Sequence, residues 1–492
     1  KDYFRDLQVQ QFTYDKETTD DALLLAFDKT RASDRKEWLK KYDSDDVLDS
    51  KAKTIDYSDF INKELIHFSH ADCLRSIPDI RDGLKPSQRK IIYTVIKRRI
   101  KDDIKVAQLA GSTSELASYH HGEMSLNGAI VALAQDFVGS NNINLLVPSG
   151  QFGTRLQGGK DSASPRYIYT RISEVTKLIF RDEDLPILNY LDDDGFTIEP
   201  ETYLPIIPTI LINGTKGIGT GYSSNVPCFN PLEVVECILD RIKGKTTELL
   251  KPWYRNFTGD IVEDKGNYTT YGKYTVIGTY EIRITELPVG TWTQNYKEYL
   301  DSCVKDKINE GTKRQFVKSY DDNCTEDTIN FKVKLLDPYT SYTEKKLNDL
   351  LKIKSSMDTN MKNMVLYDAE RVIRKFTNTN EIIDEFFKSR LMGYIKRRDY
   401  KLKTLVEEKN ILEDKVKFIQ GILDNKIDLR NKDDEVVDKE LDEFGLRRLV
   451  GEPVSYDYLT DMKMSSQTKK RVDELNKRFQ DKEVELVKVE ST

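Results

Sequence analysis

An uninterrupted helical pattern between residues 380 and 427 constrains this chain more than any other feature. Apolar residues recur there at helical spacing, the positions between them are rich in charge, and no proline breaks the run. A helix of ~48 residues would be ~70 Å long, which is too long for the core of a compact domain, so it needs a partner along its length. The apolar positions are Ile383, Phe387, Leu391, Ile395, Leu402, Leu405, Leu412, Val416, Ile419 and Leu423.

Residues 467–492 offer that partner, because apolar residues recur there at helical spacing as well. The sequence therefore predicts an antiparallel pair of helices, outward over 380–427 and back over 460–490. The tip, 433–450, carries short helical patterns whose apolar residues would have nothing of their own chain to pack on. A second copy of the chain is the natural partner there, so we predict a dimer contact. These tip residues are Val436, Val437, Leu441, Phe444, Leu446 and Leu449.

The remaining chain predicts several globular domains of mixed α and β structure. The 492 residues are 38% hydrophobic and 33% charged, which supplies real cores beneath a highly charged surface. Alternating segments such as Tyr274–Thr279 and Ile329–Leu335 predict antiparallel strands. No apolar run approaches the ~18 residues of a membrane span. The five cysteines are scattered without a CxxC pair, which disfavours disulfides and a zinc site.

A basic segment stands out against the net charge of −6. Between Arg75 and Lys105 the chain carries ten basic and four acidic residues. Phosphate binding needs only a local basic face, so the overall acidity does not exclude a nucleic-acid partner. Taken alone, however, the run is better interpreted as a solvated helix face.

The most specific stretch is QFGTRLQGGKDSASPRYIYT at residues 151–170, with paired glycines, basic residues and the dipeptide Arg166–Tyr167. Tyrosine has a pKa near ~10 and is a poor nucleophile unless it is assisted. An adjacent guanidinium can hold a phosphate under attack and stabilise the developing charge. By composition alone, an ordinary surface pair is still the better interpretation.

Four blocks change that balance, because they occur in the order and spacing of one protein family. They read RSIPDIRDGLKPSQRK at 75–90, KVAQLAG and YHHGEMSL within 105–126, the stretch at 151–170, and NGTKGIGTGYS at 213–223. With them the sequence resembles the eukaryotic-type DNA topoisomerases of class IIA, and the similarity extends over nearly the whole chain.

The resemblance implies a multidomain, mixed α+β fold. It combines a winged-helix DNA-binding domain, an α/β tower domain and a long antiparallel coiled-coil arm that ends in a helical dimer gate. The implied segments are 1–45 (the end of the Toprim region), 56–228 (winged helix and cleavage), 229–370 (tower), 371–432 (outgoing helix), 433–455 (dimer tip) and 456–492 (returning helix).

The resemblance also assigns catalytic roles, residue by residue. Tyr167 matches the tyrosine that attacks a DNA phosphodiester and becomes joined to the 5′ phosphate. Arg166 and Arg75 match two active-site arginines. His121 matches the histidine that supports the oxyanion, although a His-His pair on its own is as readily structural as catalytic.

DNA-binding roles follow from the same comparison. Lys85, Arg89 and Lys90 fit phosphate contacts at a helix N-terminus, and His120 and Lys160 are further candidates. Ile218 matches an apolar wedge that inserts between base pairs and bends DNA. The glycines around Ile218 also suggest a nucleotide-binding loop, but no Gly-Lys-Ser/Thr follows, as a P-loop requires.

The resemblance implies cofactors that this sequence does not itself hold. Mg²⁺ would be bound by Toprim carboxylates, and ATP by an ATPase domain, both outside these residues. The acidic run Asp192–Asp194 is better interpreted as a solvated turn than as a metal site. The implied partners are double-stranded DNA and a second copy of the chain, with no membrane. The implied location is the nucleus, or a cytoplasmic factory if the source is a virus.

The leading interpretation is therefore the DNA-binding and cleavage core of an isomerase that passes one duplex through a transient double-strand break in another. The main alternative is a non-catalytic DNA-bending scaffold that retains the fold. Retention of Arg166, Tyr167, Arg75 and His121 argues against it. A structural coiled-coil protein leaves residues 75–225 unexplained, and a nuclease would need metal carboxylates of its own.

Overall fold

The computed structural model describes residues 10–49, 51–304, 315–430, 432–448, 455–463 and 468–491. Helices and mostly antiparallel strands are mixed throughout, as the sequence predicts. The chain divides into two compact units, Lys1–Arg390 and Leu391–Thr492. Residues 1–9 of the predicted N-terminal segment and Leu449 of the predicted tip lie outside the described residues.

The helices of the first unit are mostly short. They are α1 (Lys16–Phe27), α2 (Ala32–Leu39), α3 (Tyr57–Phe60), α4 (Ile66–Ser76), α5 (Pro86–Lys97), α6 (Val106–Leu116), α7 (Glu123–Ala134), α8 (Glu174–Ile179), α9 (Thr209–Asn213), α10 (Pro231–Ile242), α11 (Thr293–Cys303) and α12 (Glu344–Leu350). A π-helical turn, Ile61–Leu65, joins α3 to α4. Turns of 3-10 helix occur at Lys29–Arg31, Asp182–Ile187, Tyr339–Ser341 and Met361–Asn363.

The strands form seven small sheets within the described residues. They are β1 (Gln11–Thr13), β2 (Thr54–Asp56), β3 (Ile104–Lys105), β4 (Tyr169–Thr170), β5 (Tyr190–Asp193), β6 (Phe196–Pro200), β7 (Thr215–Gly219), β8 (Tyr222–Val226), β9 (Asp260–Asp264), β10 (Asn267–Tyr271), β11 (Lys273–Gly278), β12 (Glu281–Glu286), β13 (Val317–Asp322), β14 (Phe331–Leu335), β15 (Lys354–Ser355), β16 (Met364–Tyr367) and β17 (Ile373–Phe376).

Helices α5, α6 and α7 enclose one core between residues 84 and 203. Ile92, Leu109 and Ile130 are fully buried in it, one from each helix. The same cluster takes in Phe152 and Ile168 from the stretch at 151–170. The helical core therefore supports the motif-bearing loops directly.

A second core lies under the four-stranded antiparallel sheet with the order β11-β12-β14-β13. Burial alternates along β12, because side chains of a strand point to opposite faces in turn. Ile282 and Ile284 therefore face the core with Phe331 and Val333. A three-stranded sheet, β15-β10-β9, adjoins it in sequence.

The long helix α13 runs from Thr379 to Leu423, which confirms the prediction of one helix over 380–427. The second unit contains its later part together with α14 (Asp434–Glu443), α15 (Asp457–Thr460) and α16 (Lys469–Glu490). Ion pairs join Lys401 to Glu485 and Lys409 to Glu483, so α16 runs antiparallel beside α13. Among the described helices, none has the length and apolar character to cross a bilayer.

The tip differs from the expectation. Val437 and Leu441 of α14 are buried against Phe418 of α13 and Tyr456. The prediction that the apolar tip residues lack a packing partner in their own chain is therefore wrong for these side chains. They find one because α14 packs back onto the end of the long helix. Val436 remains 49% exposed.

Candidate active site

The loop that carries Tyr167 is held rigidly from beneath. Ile168 is buried in the helical core, and its carbonyl accepts a hydrogen bond from the Val106 N–H at the start of α6, at 3.0 Å. The Tyr167 N–H donates to the Ser164 carbonyl at 2.9 Å. The side chains of Tyr167 and Arg166 point outward, and Tyr167 is 71% exposed. A large aromatic side chain is thus displayed to solvent on a loop that cannot collapse over it.

Short strands extend this support on the carboxyl side of the loop. Strand β4 pairs antiparallel with β3, with Tyr169 opposite Lys105. Tyr169 also exchanges backbone hydrogen bonds with Ser149 at 2.9 and 3.0 Å. The Lys105 ammonium lies 6.0 Å from the centre of the Tyr169 ring. The backbone on both sides of Tyr167 is therefore held in place.

The paired glycines at 158 and 159 are required by a close approach of two chain segments. Both have positive φ values, +62° and +83°. A Cβ atom on Gly158 would lie 2.3 Å from the Trp292 ring, and one on Gly159 would lie 2.3 Å from the Gln135 amide. The turn leaves the next side chain, Lys160, exposed.

Arg75 lies in the last turn of α4 and is positioned by an acid that sequence reasoning missed. Its guanidinium donates to one carboxylate oxygen of Asp72 at 3.1 Å. The other oxygen accepts the Thr220 hydroxyl at 3.1 Å. Asp72 therefore joins the arginine to the β7–β8 turn. The i, i+3 spacing of Asp72 and Arg75 was the available signal.

The β7–β8 hairpin presents Ile218 because its glycines occupy the other face. A Cβ atom on Gly217 would lie 2.0 Å from the Ser76 carbonyl oxygen, and one on Gly219 would lie 3.1 Å from Cys73 Cα. The hairpin thus packs backbone against α4. Because strand side chains alternate, Ile218 points the other way and is 83% exposed.

Lys85 stands at the start of α5 and reaches the same hairpin. Its backbone N–H donates to the Gln88 side chain at 2.9 Å, which caps the helix. Its ammonium donates to the Lys216 carbonyl at 2.7 Å. Partial burial lowers the pKa of the Lys85 ammonium.

The position of Arg89 corrects the sequence prediction of a phosphate contact. Its guanidinium is buried and makes two hydrogen bonds to Asp82, at 2.7 and 3.0 Å, and one to the Leu84 carbonyl at 2.9 Å. Asp82 is 0% exposed and also accepts the Tyr203 N–H. We therefore assign Arg89 to the internal frame of the site.

Lys90 is partly buried and also braces the frame. Its ammonium donates to the Ala117 carbonyl at 2.5 Å and to Glu199 at 2.9 Å. It ties the carboxyl end of α6 to strand β6. A phosphate contact by Lys90 would have to compete with both of these bonds.

The two histidines lie in the turn between α6 and α7. His120 Nε2 is 3.4 Å from Asp193 Oδ2. Hydrogen bonds from Ser118 and then from His120 hold the pKa of the Asp193 carboxyl below its usual value. His121 is exposed, and its ring lies edge-on to Tyr119 with 5.4 Å between the centroids.

The predicted site residues fall into two groups on the core of α4 to α7. Packing of the hairpin on α4 brings together Arg75, Lys85 and Ile218. Arg166 and Tyr167 lie at the amino end of α6, and the histidines follow its carboxyl end. The first group shares one hairpin, whereas the second is linked through a single helix.

The acidic run at the β5–β6 turn was the one stretch with the composition of a metal site. In the described part of the chain, no group of three or more His, Cys, Asp or Glu side chains is placed to hold a metal ion. Asp192 accepts the Gly195 N–H at 3.0 Å inside the β5–β6 turn, and Asp193 pairs with His120. These two acids therefore serve the turn and the histidine.

Comparison with known proteins agrees with this geometry. A model of the family described as DNA gyrase/topoisomerase IV, in its A-type subunit, matches residues 75–492. A model described as the C-terminal associated domain of TOPRIM matches residues 1–73. The two matches together account for nearly the whole chain.

Individual relatives give the same result. The chain is 40% identical to DNA topoisomerase 2, mitochondrial, of Dictyostelium discoideum, over 100% of this chain and 38% of the relative. It is 39% identical to DNA topoisomerase 2 of Saccharomyces cerevisiae, over 95% of this chain and 36% of the relative. The chain therefore spans little more than a third of the length of either protein.

A solved structure extends the similarity to three dimensions. The DNA-binding, cleavage and re-ligation domain of Plasmodium falciparum topoisomerase II superposes with a TM-score of 0.86 at 38% identity. The match covers 100% of this chain and 70% of that one. Since family model, relatives and solved structure agree, the chain belongs to the DNA topoisomerase II family.

Proposed function

We propose that this chain is the DNA-binding and DNA-cleaving core of a type II topoisomerase, with Tyr167 as the nucleophile. The observation that carries the proposal is the display of Tyr167 and Arg166 on a loop anchored through Ile168 and Val106. A structural tyrosine of this size would normally bury its ring. Here the ring is 71% exposed while its neighbour Ile168 is buried.

The proposed reaction exchanges one phosphodiester for another. The Tyr167 oxygen attacks a backbone phosphorus and loses its proton, the bond from phosphorus to the 3′ oxygen breaks, and that oxygen takes up a proton. The 5′ phosphate is left joined to Tyr167. Because a diester bond is kept throughout, the reverse attack by the 3′ hydroxyl can reseal the strand. Two copies of the chain would break both strands of a duplex.

Charge stabilisation is the proposed task of the cationic side chains. The phosphorane formed during attack carries extra negative charge, which pre-positioned donors stabilise most effectively. Arg166 is adjacent to the nucleophile, and Arg75 is oriented by Asp72. We assign His121 to support of the same oxyanion. In this view Asp72 is a positioning residue, because it acts through Arg75.

DNA binding is proposed to use exposed cations around these groups. Lys160 follows the Gly158–Gly159 turn, Lys85 is partly exposed beside the hairpin, and His120 lies next to His121. Contacts of this kind with phosphates set affinity and register without reading sequence. Lys90 is kept as a candidate, whereas Arg89 belongs to the frame that supports them.

The remainder of the reaction is assigned to parts of the protein beyond this chain. The described residues do not form a metal site, so Mg²⁺ would be held by carboxylates elsewhere, where it would act as a Lewis acid on the phosphate. ATP would likewise bind outside this chain. A nuclear location is proposed by analogy, although one relative is described as mitochondrial.

The finer domain division is proposed on the same basis. Helices α5 to α7 with the β7–β8 hairpin suit a winged-helix domain over 56–228, and the two larger sheets suit the tower over 229–370. The antiparallel helices α13 and α16 suit the coiled-coil arm, with segments 371–432 and 456–492. The segment 1–45 is proposed as the end of the Toprim region.

Replacing Ile218 with Ala should reduce DNA bending more than DNA affinity. An apolar wedge acts by unstacking base pairs, whereas phosphate contacts dominate affinity. We expect the bent fraction to fall by about fivefold while the Kd changes by about twofold or less. Energy transfer between dyes at the two ends of a duplex measures the bend. Unchanged transfer would exclude Ile218 as the wedge, and Val226→Ala in the same hairpin is the buried control.

A dimer contact through the tip, 433–455, is the second structural proposal. Val436 is the large apolar side chain of α14 that stays exposed, while Val437 and Leu441 pack internally. Sedimentation at micromolar concentration should give a dimer, and Val436→Asp should weaken it, because a charge cannot be buried there without a partner. Dimers of equal stability in the variant would place the contact elsewhere.

The proposed function is tested by trapping the covalent intermediate. Nicked duplex DNA and Mg²⁺ are incubated with the full-length protein, the reaction is stopped with detergent, and any DNA-linked peptide is mapped by mass spectrometry. A linked peptide containing Tyr167 is expected. The alternative, a non-catalytic bending scaffold, predicts bound and bent DNA without any linked peptide.

A further inference from the structure

One rung of the β7–β8 hairpin is attached to a segment far away in the sequence. Lys216 and Asn225 are cross-strand partners. The Lys216 ammonium forms an ion pair with Asp358, and the Asn225 amide donates to the Met357 carbonyl at 3.0 Å. Two neighbouring side chains of the hairpin therefore hold two consecutive residues that follow β15.

The rung that carries Ile218 is attached to the same segment. Ile218 is paired with Ser223 across the hairpin. The Ser223 hydroxyl accepts a hydrogen bond from the Asn363 amide at 2.9 Å. Segment 357–363 thus contacts the hairpin at the rung of the wedge and at the rung below it.

Asp358 is itself fixed by the adjoining sheet. Its carbonyl accepts the Tyr254 hydroxyl at 2.7 Å, and the next residue, Thr359, donates to the Tyr268 carbonyl of β10 at 2.5 Å. The carboxylate lies against Gly290, where an added Cβ would come within 1.8 Å of it. The Asp358 side chain is 12% exposed, whereas that of Lys216 is 68% exposed. The acid is therefore the anchored partner.

We propose that Asp358 is a positioning residue for the wedge. Its ion pair with Lys216 couples the Ile218 hairpin to the β15-β10-β9 sheet and sets the tilt at which Ile218 enters DNA. On the opposite side, the Lys216 carbonyl is held by the Lys85 ammonium. The hairpin is thereby clamped between α5 and the sheet. This inference rests on the proposed role of Ile218 in bending.

The test compares DNA bending and affinity in full-length Asp358→Asn, Lys216→Met and the double variant. Each single substitution is expected to lower the bent fraction by about threefold, with the Kd changed by about twofold or less. The double variant should fall no further, because both changes remove the same ion pair. Lys216 is largely exposed, so its variant remains folded even if Asp358→Asn does not.

Two outcomes would overturn the proposal. Normal bending in Lys216→Met is one, and independent, multiplying losses in the double variant are the other. Asp349→Asn is the matched control, because Asp349 pairs with Lys354 at 2.6 Å next to the same sheet. Ile218→Ala measured in parallel separates the premises. If it bends DNA normally, the wedge and the coupling both fail; if only it loses bending, the coupling alone fails.

Discussion

Replacing Tyr167 with Phe should abolish the covalent DNA adduct while DNA affinity changes by about twofold or less. The substitution removes only the hydroxyl oxygen that would attack phosphorus. The Tyr167 ring is exposed, and the loop is held by backbone bonds through Ile168 and Ser164, so the fold should be unaffected. Detergent-trapped adducts and fluorescence anisotropy measure the two quantities on the same preparation.

Tyr169→Phe is the matched control for this experiment. It lies two residues along the same loop, is 38% exposed, and should keep full adduct formation. Adduct that persists in Tyr167→Phe would show that another side chain is the nucleophile. Loss of DNA affinity together with the adduct would instead show that Tyr167 contributes to binding rather than to chemistry.

Replacing Arg89 with Met should destabilise the folded chain by about 3–5 kcal/mol. The guanidinium is the cationic partner of Asp82, a fully buried carboxylate. Without it, that charge would keep only backbone donors such as the N–H groups of Leu84 and Tyr203. Denaturant unfolding should show a lower midpoint with an unchanged slope.

Arg98→Met on the next turn of the same helix region is the control. Arg98 pairs with Glu115 at the surface, with side-chain exposures of 40% and 73%, and such pairs contribute about 0–1 kcal/mol. If Arg89→Met leaves stability unchanged but reduces the salt dependence of DNA binding, Arg89 contacts phosphate as the sequence alone suggested. The assignment to the frame would then be wrong.

Local patterns predicted much of the secondary structure correctly. The long helix was predicted at 380–427 and runs over Thr379–Leu423. The strand predicted at Ile329–Leu335 runs over Phe331–Leu335. These succeeded because helical and strand periodicity are written into nearby residues. The family was likewise recognisable from four motifs, since close backbone approaches restrict Gly158 and Gly217 to glycine.

Predictions that depended on burial were less reliable. The tip residue Leu441 was expected to need a second copy of the chain, yet it packs on α13. The charge of Arg89 suggested DNA, yet it is matched internally by Asp82. Asp72 and Asp358 attracted no notice as single acids, although both hold cations of the candidate site.

The sequence by itself determined the helices and strands, the family, and the identity of Tyr167 and Arg166 as candidates. These follow from residue types and spacings within short segments. Only the tertiary structure decided which cations face solvent and which are neutralised, and which acids position them. The reason is that Asp82 meets Tyr203, and Lys216 meets Asp358, across more than a hundred residues of chain. The electrostatics of the site therefore depend on packing between distant segments, which no local pattern records.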